Sequence, residues 1–379
     1  MFSIDRRTWL RQSTIAALGL GISNSSFATD HCIPRDFLPE TTLINLGSNE
    51  NPYGISPKAR QAIMEMFGNA SRYQFNVPHI KNFRKQIAEH YGLKTENLLV
   101  TAGSGEALVL FARQYNKGNI VLGNPTFGIL GNTARKMGTS LIEVPLTNEK
   151  VHDLPAMLRA INANTQLIYI VNPANPTGTV IQTENLKKFC REASKQSVVL
   201  VDEAYIDFLD DPDGSSVKDL INGYPNVVVV RTFSKIYGMA GLRVGFVIGN
   251  PSMIRNLEES YFSSTQFTLS NLSMTAALAS LNDKAHATLS KEKNAMAREF
   301  TQNNFKGSGI EFIPSVTNFI FFRLKNYQGD FANEMMKKNI VLRSGNYSDG
   351  KWGRVSIGTM AEMQHFIKVV KEEFRANSR

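Results

Sequence analysis

The amino-acid sequence predicts an α/β fold with a large, mostly parallel sheet covered by helices on both faces, followed by a smaller α+β C-terminal domain. Runs such as "QLIYIV", "SVVLV" and "NVVVV" have the near-continuous hydrophobicity of strands that are buried on both faces of a sheet. Helical patterns such as "TENLKKFCREASKQ" alternate with these runs, which is typical of parallel strands. After about residue 275 the pattern changes to a long charged helix, the strands "NFIFFRL" and "GRVSIGT", and a final helix.

The first elements follow from their boundary residues. A helix is predicted over 56–67, with Ser56 as its N-cap and Pro57 at its first position. A second, amphipathic helix covers 79–92 and stops at Gly92. The strand "NLLVTAG", the helix "SGEALVLFARQY" and the strands "NIVLG", "TSLIEVPL", "QLIYIVNP", "SVVLVDEAY" and "NVVVVRTFS" then complete the large sheet.

Length and composition favour a globular chain of more than one domain. The chain has 379 residues, which is long for one domain, and 42% of them are hydrophobic. We expect an N-terminal arm with the first helix over 29–66, a large cofactor-binding domain over 67–275 and a small domain over 276–379. The net charge of +9 is dispersed, so the sequence predicts acidic small substrates or an anionic surface as partners, and no nucleic acid. Cys32 and Cys190 are the two cysteines and form no cluster with histidine, so no metal site is predicted.

The first 28 residues have the layout of an export signal. Arg6 and Arg7 form a twin-arginine pair, an apolar run follows over 14–22, and small residues precede Thr29. The run is shorter than the roughly 20 apolar residues that span a bilayer, so no stable membrane insertion is expected. The sequence predicts a Tat-like signal peptide over 1–28 and a periplasmic enzyme. An uncleaved anchor, or the basic start of a cytoplasmic enzyme, is the alternative.

Polar residues follow the predicted strands, where ligands bind in open α/β sheets. Ser104 and Gly105 lie in a Gly-rich turn that opens a helix, and free N–H groups there would hold one phosphate. A dinucleotide fingerprint is excluded because Leu108 stands at its third glycine position. A tight turn between strand and helix is the alternative interpretation of this stretch.

Three further strand ends carry an amide, a carboxylate and an amine. Asn175 lies in the turn "NPANPTG", and Asp202 follows four apolar residues. A buried carboxylate needs a partner of opposite charge, and a cationic ring nitrogen would be such a partner. Alternatively, Asp202 could cap a local turn. Lys235 ends the next strand, and a lysine amine is a nucleophile toward carbonyls when its charge is disfavoured. Phosphate cradle, amide, carboxylate and lysine together suit pyridoxal 5′-phosphate (PLP).

The chain resembles the fold-type I PLP-dependent aminotransferases, and in particular the histidinol-phosphate aminotransferase family. The resemblance covers about residues 42–370. It is carried by "ENPYG", "RYQFNVPHIKNFR", "NPANPTG", "VDEAYIDF", "RTFSK" with "AGLRVGF", and "GRVSIGT", in the family's order. It implies the PLP-transferase fold of type I, PLP as cofactor and a homodimer.

The resemblance also implies roles for single residues. Lys235 would hold PLP as a Schiff base and move the substrate proton, while Asp202 would keep the ring nitrogen protonated. The other implied cofactor contacts are Tyr205 and Asn175 at the 3′ oxygen, Ser104, Gly105, Thr232, Ser234 and Arg243 at the phosphate, Phe127 on the ring, and Tyr73 from the partner subunit. Arg354 would bind the substrate carboxylate, and Tyr53 and Arg343 would face the far end of the substrate. The family commonly has Tyr where Phe127 stands, so a hydroxyl is lost there. Arg343 could instead be a surface charge on a strand.

The predicted activity is amino transfer from histidinol phosphate or a related amino acid to 2-oxoglutarate. A distal anion site favours histidinol phosphate, whereas export favours a different donor, such as an aromatic or dicarboxylic amino acid. A PLP-dependent lyase or decarboxylase is an alternative, because one fold supports several reactions. An exported nucleotide-binding oxidoreductase is a further alternative, and the missing third glycine argues against it.

Overall fold

The computed structural model of the chain describes residues 43–73, 78–262 and 269–377. The predicted signal over 1–28 and Cys32 lie outside these ranges. The strands in chain order are β1 (Ile44–Asn45), β2 (Leu98–Thr101), β3 (Asn119–Asn124), β4 (Ser140–Pro145), β5 (Thr165–Val171), β6 (Val198–Asp202), β7 (Val227–Thr232), β8 (Gly245–Ile248), β9 (Phe312–Ile313), β10 (Phe319–Arg323), β11 (Ile340–Val341), β12 (Arg343–Tyr347) and β13 (Gly350–Ser356).

Eleven α-helices accompany the strands within the described residues. They are α1 (Pro57–Met66), α2 (Pro78–His90), α3 (Ser104–Gln114), α4 (Gly128–Lys136), α5 (Leu154–Ala160), α6 (Thr183–Ala193), α7 (Pro251–Tyr261), α8 (Asn271–Leu281), α9 (Lys284–Gly307), α10 (Phe331–Lys337) and α11 (Met360–Asn377). Ser56 Oγ accepts a hydrogen bond from the Ala59 amide at 3.0 Å, which confirms the predicted N-cap of α1. No helix in the described part of the chain is long and apolar enough to cross a membrane.

Seven strands form the large sheet in the order β2-β8-β7-β6-β5-β3-β4. All neighbours are parallel except β8, which runs antiparallel to both β2 and β7. The mostly parallel sheet that the sequence predicts is therefore confirmed. The short strand β8 was not predicted, because its four residues follow the Gly-rich segment that was interpreted as a turn.

The valines of β7 show why this sheet is covered on both faces. Val227 and Val229 belong to a hydrophobic core that includes α6, whereas Val228 and Val230 belong to the core on the opposite face, which includes α3. Alternate side chains of a strand point to opposite faces, so both faces of β7 are buried. Each buried valine contributes about 1.5–3 kcal/mol of transfer free energy.

A smaller antiparallel sheet, β12-β13-β10-β9, lies in the C-terminal part of the chain. It shares a third hydrophobic core with α9, α10 and α11. The two-residue strand β1 pairs with β11, so the described N-terminal segment joins this part of the molecule. The predicted boundary at residue 275 falls within α8, whose Met274 and Leu281 lie in a core of the large sheet, and the domain division stays a prediction.

Candidate active site

A cavity of about 490 Å³ opens where the carboxyl ends of β5, β6 and β7 approach the C-terminal sheet. Its lining includes twelve of the predicted site residues: Ser104, Gly105, Phe127, Asn175, Asp202, Tyr205, Thr232, Ser234, Lys235, Arg243, Arg343 and Arg354. The fold thus brings into one crevice residues that are up to 250 positions apart in the sequence. Their roles toward a cofactor stay predictions at this point.

One end of the cavity is built to receive an anion. Helix α3 begins there at Ser104, and Gly103 before it has a φ of +79°. The Arg243 guanidinium packs on Gly103 so closely that a Cβ on Gly103 would lie 2.4 Å from Nη2. Glycine therefore lets a cation reach the positive end of a helix dipole, where the first N–H groups have no partner within the helix.

Two hydroxyl groups complete this anion site. The Thr232 and Ser234 oxygens lie 2.9 Å apart, and the Ser234 amide donates to Thr232 Oγ1 at 3.1 Å. The Arg243 Nη1 and Nη2 atoms donate to the carbonyls of Ala240 and Ala102, which fixes the guanidinium at the cavity rim. Helix N–H groups, hydroxyls and a guanidinium are the donors that bind phosphate.

Asp202 lies at the floor of the cavity with 1% of its surface exposed. Its Oδ1 accepts from the Ala204 amide at 3.1 Å and its Oδ2 from the Tyr169 hydroxyl at 3.2 Å. Burial raises the pKa of Asp202 to about 6, although both hydrogen bonds and the charge of Lys235 oppose that shift. In the described part of the chain no cation forms an ion pair with this carboxylate, so it is suited to a cationic ligand.

The Tyr205 hydroxyl is held by two amides. Asn49 Nδ2 donates to it at 2.9 Å and Asn175 Nδ2 donates at 3.2 Å. Because both amides are donors, the hydroxyl proton of Tyr205 is left to donate toward the cavity, where a ligand oxygen would accept it. Asn49 was missed in the sequence, since it lies 156 residues from Tyr205 in a loop without a strand-end pattern.

Lys235 reaches the centre of the cavity. Its Nζ donates to the Asn49 carbonyl at 3.0 Å and to the Ser48 carbonyl at 3.4 Å, and it lies 5.6 Å from the centre of the Tyr205 ring. Both bonded partners are neutral carbonyls, so no carboxylate ion pair withholds the amine from a ligand in the described cavity. The amine, the carboxylate of Asp202 and the anion site thus face one shared space.

Two arginines line the side of the cavity that the C-terminal sheet forms. Arg343 on β12 and Arg354 on β13 are directly opposite each other in the antiparallel register. Arg354 Nη1 donates to Asn175 Oδ1 at 2.7 Å and Nη2 donates to the Gly47 carbonyl at 2.8 Å, while its buried Nε has no hydrogen-bond partner. Burial lowers the pKa of Arg354, which remains a cation.

Comparison with known proteins identifies the chemistry that this arrangement serves. Residues 41–370 match the family model described as aminotransferase class I and II. The chain belongs to the class I and II aminotransferases. It is a PLP-dependent enzyme of this family, which confirms the predicted activity class and cofactor.

Individual relatives agree with this assignment. The chain is 35% identical over 335 residues to a histidinol-phosphate aminotransferase of Brevibacillus brevis, covering 88% of this chain and 90% of the relative. It is also 35% identical to a histidinol-phosphate aminotransferase of Moorella thermoacetica, covering 87% of this chain and 85% of the relative. These similarities extend over nearly the whole aminotransferase domain.

Solved structures confirm fold type I. A structure from Erwinia carotovora atroseptica, described as a histidinol-phosphate aminotransferase homologue, is 30% identical with a TM-score of 0.82, covering 89% of this chain and 97% of that one. The histidinol-phosphate aminotransferase of Sinorhizobium meliloti, solved with pyridoxal-5′-phosphate, has a TM-score of 0.81 at 24% identity, covering 88% and 91%. The second likeness shows the fold alone.

The residues of this aminotransferase fit PLP. The anion site at α3 suits the phosphate, and the buried, unpaired carboxylate of Asp202 suits the protonated ring nitrogen. Tyr205 has a proton to donate to the ring oxygen, and Phe127 offers an aromatic surface in the cavity lining. Lys235 would hold the cofactor covalently through Nζ.

Two predicted residues of the aminotransferase lie elsewhere. Tyr53 does not line the described cavity; its half-buried ring lies 4.9 Å from Lys293 Nζ, and burial raises its pKa. Tyr73 is 73% exposed and lines a separate small cavity of about 220 Å³ with Arg72 and Asn271. Neither residue therefore contacts the cavity of its own chain.

Proposed function

We propose that this aminotransferase transfers the amino group of a donor with a distal anionic group, such as histidinol phosphate or a related amino acid, to 2-oxoglutarate. The observation that carries the proposal is the pair of opposed arginines, Arg343 and Arg354, in the lining of one cavity. Two guanidinium groups suit either the single phosphate of histidinol phosphate, which has several anionic oxygens and no carboxylate beside it, or the two carboxylates of 2-oxoglutarate, because each guanidinium can form bidentate hydrogen bonds. The names of the curated relatives support the choice of histidinol phosphate as the first donor to test.

The cavity residues have separate roles in the proposed reaction. PLP, when bound, supplies a carbonyl that takes up the amino group and a ring that spreads the charge developing at the substrate Cα. Lys235 Nζ would act as the base that takes the proton from the substrate Cα and as the acid that returns a proton to complete the transfer. Asp202 would keep a proton on the ring nitrogen of the cofactor, and Tyr205 would donate to its ring oxygen.

Arg354 orients the substrate. Its guanidinium is already aligned by Asn175 and by the Gly47 carbonyl, so little rotational freedom is lost when a carboxylate binds. Arg343 is the more exposed of the two arginines, and its Nε lies 3.4 Å from the same Gly47 carbonyl. We assign to Arg343 the distal phosphate or carboxylate of the substrate.

The functional unit in this proposal is a homodimer in which Tyr73 contacts the phosphate of the cofactor in the partner subunit. The exposure of Tyr73 supports an intermolecular role, because the side chain does not line the cavity of its own chain. The proposal also includes export. Support for export comes from the twin-arginine pair Arg6–Arg7 and the short apolar run after it.

A donor panel tests the substrate assignment. Purified enzyme with 2-oxoglutarate and single amino donors, namely histidinol phosphate, aromatic and dicarboxylic amino acids, should form glutamate fastest with donors that carry a distal anion. Arg343→Gln should raise the KM for those donors at least tenfold and leave neutral donors unaffected. Equal rates with neutral and anionic donors would refute the distal anion site, and release of CO₂ without glutamate would favour the decarboxylase alternative.

A further inference from the structure

The hairpin that carries both arginines is tied at its other end to the large sheet. Arg343 and Arg354 pair across β12 and β13, and the turn between these strands contains Asp349. The pairing continues over four steps from the arginines to the turn, a length of roughly 14 Å. Asp349 Oδ2 lies 2.6 Å from the Nζ of Lys150, which belongs to the loop after β4.

This contact is partly shielded from solvent. The Lys150 side chain is 15% exposed and that of Asp349 is 35% exposed. Trp352 Nε1 donates to Asp349 Oδ1 at 3.2 Å, and the Trp352 ring lies 5.4 Å from Lys150 Nζ. The ring is buried and stacks on Phe321 at 4.6 Å, so the ion pair rests on a fixed aromatic surface.

The electrostatics of Asp349 are consistent with an ion pair between Asp349 and Lys150. Burial raises the pKa of Asp349, but the hydrogen bond and charge of Lys150, together with the hydrogen bonds from the Asp349 backbone and Trp352, outweigh burial, so that pKa lies below its usual range. Among the described residues, a second cation near Asp349 is Arg323 on β10, whose Nη1 lies 3.6 Å from Asp349 Oδ2. Since β10 belongs to the same sheet as the hairpin, Arg323 cannot tie the hairpin to the large sheet. Lys150 makes that connection.

The backbone of Lys150 leads back to the active site. Its carbonyl accepts from Thr179 Oγ1 at 2.9 Å, and the Thr179 carbonyl accepts from the Ala174 amide at 2.8 Å. The next residue, Asn175, accepts from Arg354 Nη1 at 2.7 Å. A continuous series of contacts therefore connects the hairpin turn to Lys150, Lys150 to the 174–179 turn, and that turn to Arg354.

We propose that Lys150 is a positioning residue for substrate binding, which through its ion pair with Asp349 holds the hairpin so that Arg343 and Arg354 face the cavity. The inference rests on the proposed function, since it takes the two arginines as the sites of the substrate anions. Without Lys150, Asp349 keeps Arg323 and Trp352, and the hairpin stays folded but loses its connection to the loop after β4. The arginines then spend part of the time away from the binding geometry, and substrate affinity falls.

Substrate-binding measurements on the loaded enzyme test this role. Lys150→Met keeps the aliphatic stem and removes the charge, Asp349→Asn removes the other charge, and Lys150→Arg retains the pair. We expect Lys150→Met and Asp349→Asn each to raise about fivefold the KM for 2-oxoglutarate and the Kd of the unreactive dicarboxylate succinate, read from the cofactor absorbance. The kcat and the cofactor content should change less than twofold. Lys150→Arg should restore wild-type values, and the double variant should be no worse than either single one.

A matched control separates this role from a general effect of charge or stability. Lys195→Met removes an exposed ion pair with Glu192, at 2.6 Å, on the outer surface, and should leave KM and Kd unchanged. If Lys150→Met and Asp349→Asn lower the melting temperature but leave KM and Kd within twofold, the inference is wrong and the pair is only stabilising. If Arg343→Gln and Arg354→Gln also leave succinate binding unchanged, the proposed function is wrong instead.

Discussion

The Tyr169 hydroxyl donates a hydrogen bond to Asp202 Oδ2 at 3.2 Å, deep in the large sheet. Both side chains are almost fully buried, and they lie on the neighbouring strands β5 and β6. The bond stabilises the ionised carboxylate and so opposes the effect of burial on the Asp202 pKa. Tyr169 thereby supports the charge that a protonated ring nitrogen requires.

Tyr169→Phe should make Asp202 a weaker partner for the ring nitrogen of the cofactor and leave the fold intact. The variant removes one donor to the carboxylate, so the Asp202 pKa should rise above about 6. The acid limb of the kcat profile should move to higher pH, and kcat at pH 7 should fall several-fold. Tyr115→Phe, at the end of α3 and outside the cavity lining, is the matched control. If the acid limb of the Tyr169→Phe profile does not move, the Tyr169 hydroxyl does not influence the pKa of Asp202.

Lys235→Ala should abolish amino transfer and leave the fold intact. The variant loses the hydrogen bonds of Lys235 to the Ser48 and Asn49 carbonyls and its contact with the Tyr205 ring, and no second lysine lines the described cavity. Lys235→Arg should fare no better, because a guanidinium cannot attach the cofactor. Borohydride should bleach the cofactor band of the wild type and fix the cofactor to Lys235. Near-normal turnover by Lys235→Ala would overturn the assignment of this lysine.

Asp202→Asn should bind PLP but lose more than tenfold in rate. The amide keeps the shape of the side chain, and its oxygen can still accept from the Ala204 amide while its NH2 group faces the Tyr169 hydroxyl as a donor, but it does not hold a proton at the ring nitrogen. Single-turnover rates measured by cofactor absorbance give the loss directly. A loss below tenfold, equivalent to about 1.4 kcal/mol, would mean that Asp202 is not the ring partner.

His152 should make the protein sensitive to acid. The ring is buried, its Nε2 lies 3.2 Å from the Val171 carbonyl, and its Nδ1 has no hydrogen-bond partner. Burial lowers the pKa of His152 to about 4, against about 6.5 in an unfolded chain. Because the folded-state pKa is the lower one, the stabilisation is complete above pH 6.5 and is lost as the pH falls toward 4.

The loss amounts to roughly 3 kcal/mol over that interval, from about 2.5 pKa units at 1.36 kcal/mol each. Urea unfolding of the wild type and of His152→Gln at pH 7, 6, 5 and 4 measures it. The difference in unfolding free energy should shift by about this amount in favour of the variant as the pH falls. Parallel curves for the two proteins would mean that the pKa of His152 is the same in the folded and unfolded states.

Arg6→Lys combined with Arg7→Lys should retain active, PLP-bound enzyme in the cytoplasm. The prediction follows from the twin-arginine pair, since a route that exports folded protein would carry the cofactor inside its site. The wild type should appear beyond the inner membrane with Thr29 as its first residue. Cell fractionation with N-terminal sequencing decides the matter. Wild-type enzyme found only in the cytoplasm with residues 1–28 attached would reject export and favour histidine biosynthesis.

The strand-end residues were predictable because their neighbours reveal where each strand stops. Asp202 follows four apolar residues and Lys235 follows another apolar run, so both had to lie at the carboxyl edge of the sheet. The family motifs extended this reasoning to Arg243 and Arg354, and the family resemblance implied Arg343 as a single position. The cavity lining contains all five residues.

Other members of the site had no such signal. Tyr169 stands in mid-strand, where an aromatic residue usually belongs to the core, and only the pairing of β5 with β6 brings its hydroxyl to Asp202. Asn49 and Lys150 lie in loops, and their partners Tyr205 and Asp349 are 156 and 199 residues away. Local sequence does not specify contacts across such separations.

The sequence by itself determined the alternation of strands and helices, the family, the cofactor and the residues that follow each buried strand. Those features depend on local hydrophobic periodicity and on short motifs, which are written in neighbouring residues. The tertiary structure alone decided that β8 runs antiparallel, that Tyr53 lies outside the cavity and that Lys150 ties the arginine hairpin to the large sheet. These outcomes depend on how distant elements pack, since a long-range contact forms only when the whole core brings its two partners together.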